Sequence, residues 1–385
     1  MKKEKHSGKE IHRGRSRAGI IKRLAPLAAA ILVIGLAAGI ASRTIDQKKV
    51  DVSQEQSTGG DSQELTGMAL EEGRQTEAGQ PDGAAEAPET GAEGSSRTAL
   101  EQLRGTKEID GVSYTPKKNI RTYLVMGLDS TGEAKARTEY DGTGQVDTLQ
   151  LLVIDDANNT YTRLPINRDT MTDVRFLDTD GSVLATSRMQ ISLAHATGDG
   201  MEMSCENTVE AVSGLLQGQP VDGYASLNMD AIIALNHLVG GVTVSVEDDF
   251  SREDPSLKMG EEVTLTDEQA MHYVRGRMNV GDGSNEGRMR RQSAFLAALK
   301  PMLTERCRQD SAFGLDIYDA LEPYMVTNLS RNDFIRLAAA LVGAEEQEPL
   351  SLEGTSTTGE TGFNEFNVEE GSLNTVITQL FYNKE

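Results

Sequence analysis

Five arginines, Arg275, Arg277, Arg288, Arg290 and Arg291, crowd into 17 residues of a chain whose formal net charge is −22. Planar guanidiniums suit bidentate contact with phosphate oxygens, and the backbone donors of a helix N-terminus favour the same anion. Arg288 and Arg291, with Gln292 beside the latter, share one helix face by their three- and four-residue spacing. An ion-pair network with Asp282, Glu286 and other carboxylates is the alternative use of these charges. A second group stands at strand ends. Asp129 follows the apolar run RTYLVMG, Asp147 opens TLQLLVI, and Arg168 with Asp169 ends the run through Leu164-Pro165-Ile166-Asn167. Ligands of open α/β sheets bind where strands end. Two carboxylates converging there make a hard-cation site, because Mg²⁺ takes one or two carboxylates together with phosphate oxygens. Taken singly, each Asp is better explained by turn capping.

Other chemistries lack their residues. There is no GxSxG, P-loop, HExxH or clustered Cys/His motif, and the histidines (His6, His12, His195, His237, His272) are scattered. Cys205 and Cys307 match no metal-ligand spacing. One disulfide in an exported domain and two unlinked buried thiols are both open readings. The acidic balance repels phosphate backbones and argues against a nucleic-acid partner.

These residues must be positioned by the remaining chain, which is uneven. Residues 1–23 carry nine basic side chains against two acidic ones, and an uncharged stretch, LAPLAAAILVIGLAAGIAS, runs from Leu24 to Ser42 before Arg43. A helix of that length reaches roughly 30 Å, the thickness of a hydrocarbon core. The basic excess before it leaves the amino terminus cytoplasmic and the rest outside. A cleaved signal peptide competes, with Ala37 and Gly39 as small residues for a cleavage site, but the apolar run is long for one and favours a retained anchor over 24–43. Residues 44–110 are rich in Glu, Gln, Gly, Ser, Thr and Ala and poor in apolar bulk, which predicts a disordered acidic spacer.

Periodic structure begins near Tyr114. Strands are expected at 121–127, 148–154, 161–166, 224–227 and 242–246, and helices at 205–216, 229–238, 265–277 and 288–306. Ser204 and Asn207 offer capping to the first helix, and Thr266 or Asp267 to the third. The alternation predicts an α/β fold: one domain over 111–344 with a central mixed β-sheet flanked by helices. Residues 345–363 read as a polar loop, and 364–385 as a strand and helix returning to the domain.

From about 119 to 303 these pieces stand in the order found in the LytR–CpsA–Psr family of envelope proteins, which the chain resembles. Its G-x-D turn is similar to Gly127-Leu128-Asp129, its R-S-D-T to Gln145-Val146-Asp147-Thr148, and its P-R-D-T to Asn167-Arg168-Asp169-Thr170. Gly240-Gly241-Val242-Thr243-Val244 resembles L-G-G-V-x-V, and Leu265 to Arg277 resembles L-x-G-E-Q-A-L-x-Y-V-R-x-R. The segment D-x-x-R-x-x-R-Q is matched by Asn285 to Gln292. Gln145 stands where the family has arginine and Asn285 where it has aspartate, while Ser192-Leu193-Ala194-His195 replaces N-A-A-Y.

The resemblance implies a Mg²⁺-dependent phosphotransferase, with Mn²⁺ a possible substitute. It moves a teichoic acid or capsular polysaccharide from an undecaprenyl-pyrophosphate carrier in the membrane to peptidoglycan, leaving a phosphodiester. Asp129 and Asp147 would hold the metal. Arg168, Arg275, Arg277, Arg288, Arg291, Gln292 and Gln145 would hold the pyrophosphate, with Arg168, Asp169 and Arg275 catalytic and Asp169 or Asp129 nearest the acceptor hydroxyl. The apolar faces of CENTVEAVSGLL and MDAIIAL are candidate walls of a lipid groove. The two departures, Gln145 and Asn285, favour the competing readings of a weakly catalytic lipid-binding or regulatory envelope protein; lipid-pyrophosphate hydrolysis is another.

Overall fold

The computed structural model describes residues 105–384 apart from 110, 141, 311, 312 and 361. The basic tail, the apolar run and the spacer as far as residue 104 lie outside those residues. Ordered pairing begins inside the expected spacer: Lys107–Ile109 (β1) pairs antiparallel with Val112–Pro116 (β2). Ile120–Leu128 (β3), Val146–Asp155 (β4) and Thr160–Ile166 (β5) follow as an antiparallel meander along the three apolar runs. Met171–Leu177 (β6) and Val183–Gln190 (β7) then form a hairpin leading to helix Glu202–Leu215 (α1). Gly223–Leu227 (β8) returns beside β3 and parallel to it, and feeds Asp230–Val239 (α2). Thr243–Ser245 (β9) and Glu262–Thr264 (β10) pair before Asp267–Arg275 (α3) and the long Asn285–Gln309 (α4). Phe313–Leu321 (α5), Met325–Thr327 (β11) and Arg331–Gly343 (α6) complete this half.

The expected polar loop at 345–363 is partly paired instead. Glu345–Glu346 (β12) joins the edge of β5, and Gly354–Thr358 (β13) forms a hairpin with Asn364–Val368 (β14). Acidic and hydroxyl side chains serve on strands exposed at a sheet edge, where burial is not required. Glu370–Phe381 (α7) and Tyr382–Lys384 (β15), which pairs with β2, close the chain.

The central sheet has the order β11-β8-β3-β4-β5-β12, with parallel and antiparallel neighbours. Its alternating side chains feed two cores, as the period of two demands. Leu124, Met126, Leu149, Leu151 and Val153 pack on one face with α1 and α7, through Val212, Leu216, Ile377 and Phe381. Val125, Leu152, Ala225 and Leu227 pack on the other with α2 to α6, through Leu235, Tyr273, Phe295, Ile317 and Phe334. The expected α/β architecture with a mixed sheet between helices is therefore present. Among the described residues no helix is long and apolar enough to cross a membrane.

Helix α3 starts where its sequence says it should. The Thr266 hydroxyl accepts from Gln269 N while the Gln269 side chain accepts from Thr266 N, a capping box. Helix α1 does not use its expected caps. Ser204 and Asn207 are buried inside it, where Ser204 Oγ donates to Thr197 O and Asn207 Nδ2 donates to Arg175 O and Ala194 O. They tie the preceding loop to the helix rather than ending it.

Candidate active site

The C-terminal end of β3, the start of β4, the β8–α2 junction and the first turns of α4 surround a cavity of about 60 Å³. Its walls are mostly apolar, with Leu227, Met229, Ala231, Ile232, Leu235 and Leu296, and its polar side chains include Asp129, Asp147, Thr148, Arg288 and Gln292. Asp147 and Thr148 are consecutive, so on a regular strand they would point to opposite faces. The ladder slips here: Gly127 pairs with Thr148 but Leu128 pairs with Val146, leaving Asp147 unpaired in a bulge. A bulge re-aims the inserted side chain, and both residues reach the same cavity.

Asp147 is held by Arg168, whose Nη1 bonds its carboxylate while Nη2 donates to Gln145 Oε1 at 2.6 Å. The Asp169 carboxylate lies 3.7 Å from Arg168 Nε on the other side. Asp169 itself sits in an Asx turn, its N–H donating to Asn167 Oδ1. Asp129 is half exposed and faces Arg288, Nη1 to Oδ2 3.6 Å. Gln292 Nε2 donates to Val274 O and so fastens the start of α4 to the end of α3. The structure thus gathers Asp129, Asp147, Arg168, Gln145, Arg288 and Gln292.

The other arginines go elsewhere. Arg291 is 3% exposed. Its Nε donates to Tyr273 O at 2.9 Å, its Nη2 bonds Gly276 O, and its Nη1 pairs with Asp248. This guanidinium is a buried tie between α3 and α4, not a side of the cavity, which corrects the expectation that it clamps pyrophosphate. Arg290 pairs with Asp248 and Glu247, as the ion-pair alternative anticipates. Arg275 and Arg277 are exposed at the end of α3 and do not line the cavity; an Arg275 nitrogen lies 3.7 Å from Met271 Sδ. MDAIIAL supplies cavity walls through Met229, Ala231, Ile232 and Leu235, whereas CENTVEAVSGLL packs against the opposite face of the sheet.

Thr148, Asn228 and Leu296 also line the site and were not among the sequence candidates. Asn228 follows β8 as Asp129 follows β3, so the strand-end rule applied to β8 points to it. Among the described residues no three His, Cys, Asp or Glu side chains cluster as a metal cage. The oxygen donors of Asp129 and Asp147 fit a hard cation that keeps waters and takes its remaining ligands from a phosphate.

Behind the site, His195 is buried with Nδ1 3.0 Å from Gly144 O, so that nitrogen carries the proton. Its Nε2 lies 3.5 Å from Cys205 Sγ. Burial holds the His195 pKa down to about 4 and pushes the Cys205 thiol well above its usual range. Cys205 is a free thiol, which decides against the disulfide.

The fold and motif order agree with sequence comparison. The model of the LytR_cpsA_psr family matches residues 89–381, and the chain belongs to that family. It is 28% identical over 235 residues to the polyisoprenyl-teichoic acid–peptidoglycan teichoic acid transferase TagU of Halalkalibacterium halodurans, covering 61% of this chain and 69% of that protein. It is 27% identical over 285 residues to TagU of Bacillus subtilis, covering 73% and 83%. Among solved structures, protein gbs0355 of Streptococcus agalactiae superposes with a TM-score of 0.51 at 22% identity, covering 68% of this chain and 86% of that one, a likeness of fold.

Proposed function

We propose that this protein is a membrane-anchored transferase of the outer face. It moves a glycopolymer of the teichoic acid or capsular polysaccharide class from an undecaprenyl-pyrophosphate carrier to peptidoglycan, forming a phosphodiester. The observation that carries this reading is one cavity with apolar walls along α2 and α4 and with Asp129, Asp147 and Arg288 among them. A lipid diphosphate has the same division of character. The TagU relatives, named as teichoic acid transferases acting on peptidoglycan, support the substrate class.

In the proposed step the acceptor hydroxyl oxygen attacks the phosphorus that carries the polymer. The bond from that phosphorus to the bridging oxygen breaks, and prenyl monophosphate leaves. Of the two carboxylates considered for the hydroxyl proton, Asp129 lines the cavity and Asp169 does not, so Asp129 is assigned the proton. Arg288 beside it offers charge to the diphosphate oxygens, and Arg168 keeps Asp147 aimed inward. Arg275 follows Val274, whose carbonyl Gln292 holds, so its exposed guanidinium stands at the same end of α3 for a ligand larger than the cavity. Mg²⁺, or Mn²⁺ in its place, held by Asp129 and Asp147 would neutralise diphosphate charge.

The test uses full-length protein in detergent with Mg²⁺, a radiolabelled undecaprenyl-pyrophosphate oligosaccharide and peptidoglycan, beside Arg288→Ala. Label entering peptidoglycan with the wild type alone supports transfer. Label released to solution identifies a hydrolase, and label retained on bound lipid identifies a binding protein; either result sinks the transferase reading.

A further inference from the structure

A larger cavity, about 330 Å³, opens on the other side of the Asp129–Ser130 segment. It shares Leu128 and Asn228 with the first cavity, and while Asp129 lines the first, Ser130 lines the second. The segment from Ser130 to Gly144 that connects β3 to β4 forms much of its wall. That segment is fastened at Ser130, Gly132, Ala134 and Arg137. Met229 N donates to Ser130 O, Asn228 Nδ2 to Gly132 O, and Ala134 N to Pro323 O. Arg137 donates to the carbonyls of Thr143, Ala196 and His195. The cavity is thus a preformed part of the fold, at the small end of the roughly 300–1,000 Å³ typical of ligand pockets.

Its chemistry is that of a neutral, hydroxyl-rich ligand. Ser130, Thr131 and Thr143 supply hydroxyl groups, and Tyr324 contributes an aromatic ring. The cations do not await an anion: the Arg137 guanidinium bonds three backbone carbonyls, and Lys135 pairs with Glu133 at 3.4 Å. Deep in the cavity, Ser226 is 1% exposed and its hydroxyl has no nitrogen or oxygen partner, only the weakly bonding Cys205 thiol beside it. A buried hydroxyl bonded only by a thiol is weakly satisfied, and a ligand hydroxyl or amide would offer it a stronger partner.

Resting on the transferase reading above, we infer that this second cavity binds a saccharide ring of the acceptor glycan, presenting its hydroxyl across the Asp129–Ser130 segment to the diphosphate site. The first sugar of the donor polymer has the same chemistry and is the rival occupant. One observation favours the acceptor: the cavity opens apart from the apolar walls that suit the lipid, whereas the first donor sugar is bonded to the diphosphate beside those walls.

The full-length chain in detergent micelles is titrated with the disaccharide N-acetylglucosaminyl-N-acetylmuramic acid, its lactyl carboxyl capped as the amide so that the probe is neutral, and binding is followed by saturation-transfer NMR. Thr131→Tyr, at an exposed position on the rim, is expected to weaken binding at least roughly tenfold by obstruction. Ser226→Ala is expected to weaken it by roughly fivefold, the loss of one neutral hydrogen bond. No binding to the wild type, or equal binding to both variants, overturns the inference. A short-chain prenyl-diphosphate sugar added to the bound disaccharide should give a ternary complex; displacement would assign the cavity to the donor and overturn it as well. Because these readouts need no turnover, failure of the prenyl diphosphate to bind at all would count against the transferase reading alone.

Discussion

Arg168 reaches across the β4 bulge and holds two residues at once, Asp147 through Nη1 and the Gln145 amide oxygen through Nη2 at 2.6 Å. The bulge frees Asp147 from the ladder and the guanidinium fixes where it then points. Gln145, the residue at which the chain departs from its family's arginine, is part of that fixture, which opposes the view that its change merely disables the site. A lysine at 168 keeps the charge but not the planar fork that serves both partners. Arg168→Lys should therefore lower transfer by roughly 10²-fold or more while leaving the melting temperature nearly unchanged. Steady-state transfer rates beside a thermal melt check it, and full activity in the lysine variant would refute the positioning role.

Arg288 and Arg291 lie three residues apart on α4 and should respond in opposite ways. Arg288 faces a half-exposed Asp129 at 3.6 Å, so Arg288→Ala should alter stability by less than about 1 kcal/mol while removing donor binding. Arg291→Met leaves the carbonyls of Tyr273 and Gly276 without this donor and the mostly buried Asp248 with Arg290 alone. Breaking such a buried set costs about 3–5 kcal/mol. Urea unfolding of both variants decides between the assignments.

That contrast shows what the sequence could and could not reveal. Helical spacing put Arg288 and Arg291 on one face of α4, but spacing gives a face and not what covers it, so Arg291 reads like Arg288 until α3 is laid against it. The apolar stripe of CENTVEAVSGLL is equally silent about which side of the sheet it packs on; the connection through β8 decides that. Local signals were legible where the physics is local, as in the Thr266–Gln269 capping box and the apolar runs of β3 and β4. The β6–β7 hairpin escaped because β7 is exposed over most of its length and carries no clear alternation. The bulge that turns Asp147 inward arises from pairing between strands and has no mark in either strand alone.

Removal of divalent metal should stop transfer and leave the fold intact, because Asp129 and Asp147 are partly exposed and each has an arginine partner without it. Chelation followed by Mg²⁺ should restore activity, and Asp147→Asn should raise the Mg²⁺ concentration needed by roughly tenfold or more. Undiminished transfer in excess chelator would remove the metal from the proposal.

Arg137 lies in a slot that only glycine permits. Gly200 has φ +76°, and a Cβ there would come 2.7 Å from Arg137 Nε. Gly200→Ala combines an unfavourable backbone conformation with displacement of that side chain, a cost of about 1–3 kcal/mol. Since Arg137 bonds the carbonyls that fasten the β3–β4 connection, hydrogen exchange should rise over residues 131–145 before it rises in β3 or β4. Uniform exchange across both regions would show that the connection is not held by Arg137.

His195 should make the fold sensitive to mild acid. Its folded pKa is held near 4 by burial, against about 6.5 in the unfolded chain. With the folded value depressed, the unfolded state takes up a proton first as pH falls below about 6.5, and the folded state follows only near 4. Stability is therefore complete above pH 7 and declines through this window, by ~3 kcal/mol at most. Carboxylates titrate too, so the comparison is with His195→Gln, which keeps an N–H donor for Gly144 O but has nothing to protonate. Urea midpoints measured at pH 7, 6, 5 and 4.5 should converge between wild type and variant as pH drops, the wild type losing more of its stability. Parallel losses would mean that burial does not keep the ring neutral, since a proton taken up at Nε2 leaves the Nδ1–H bond to Gly144 O in place.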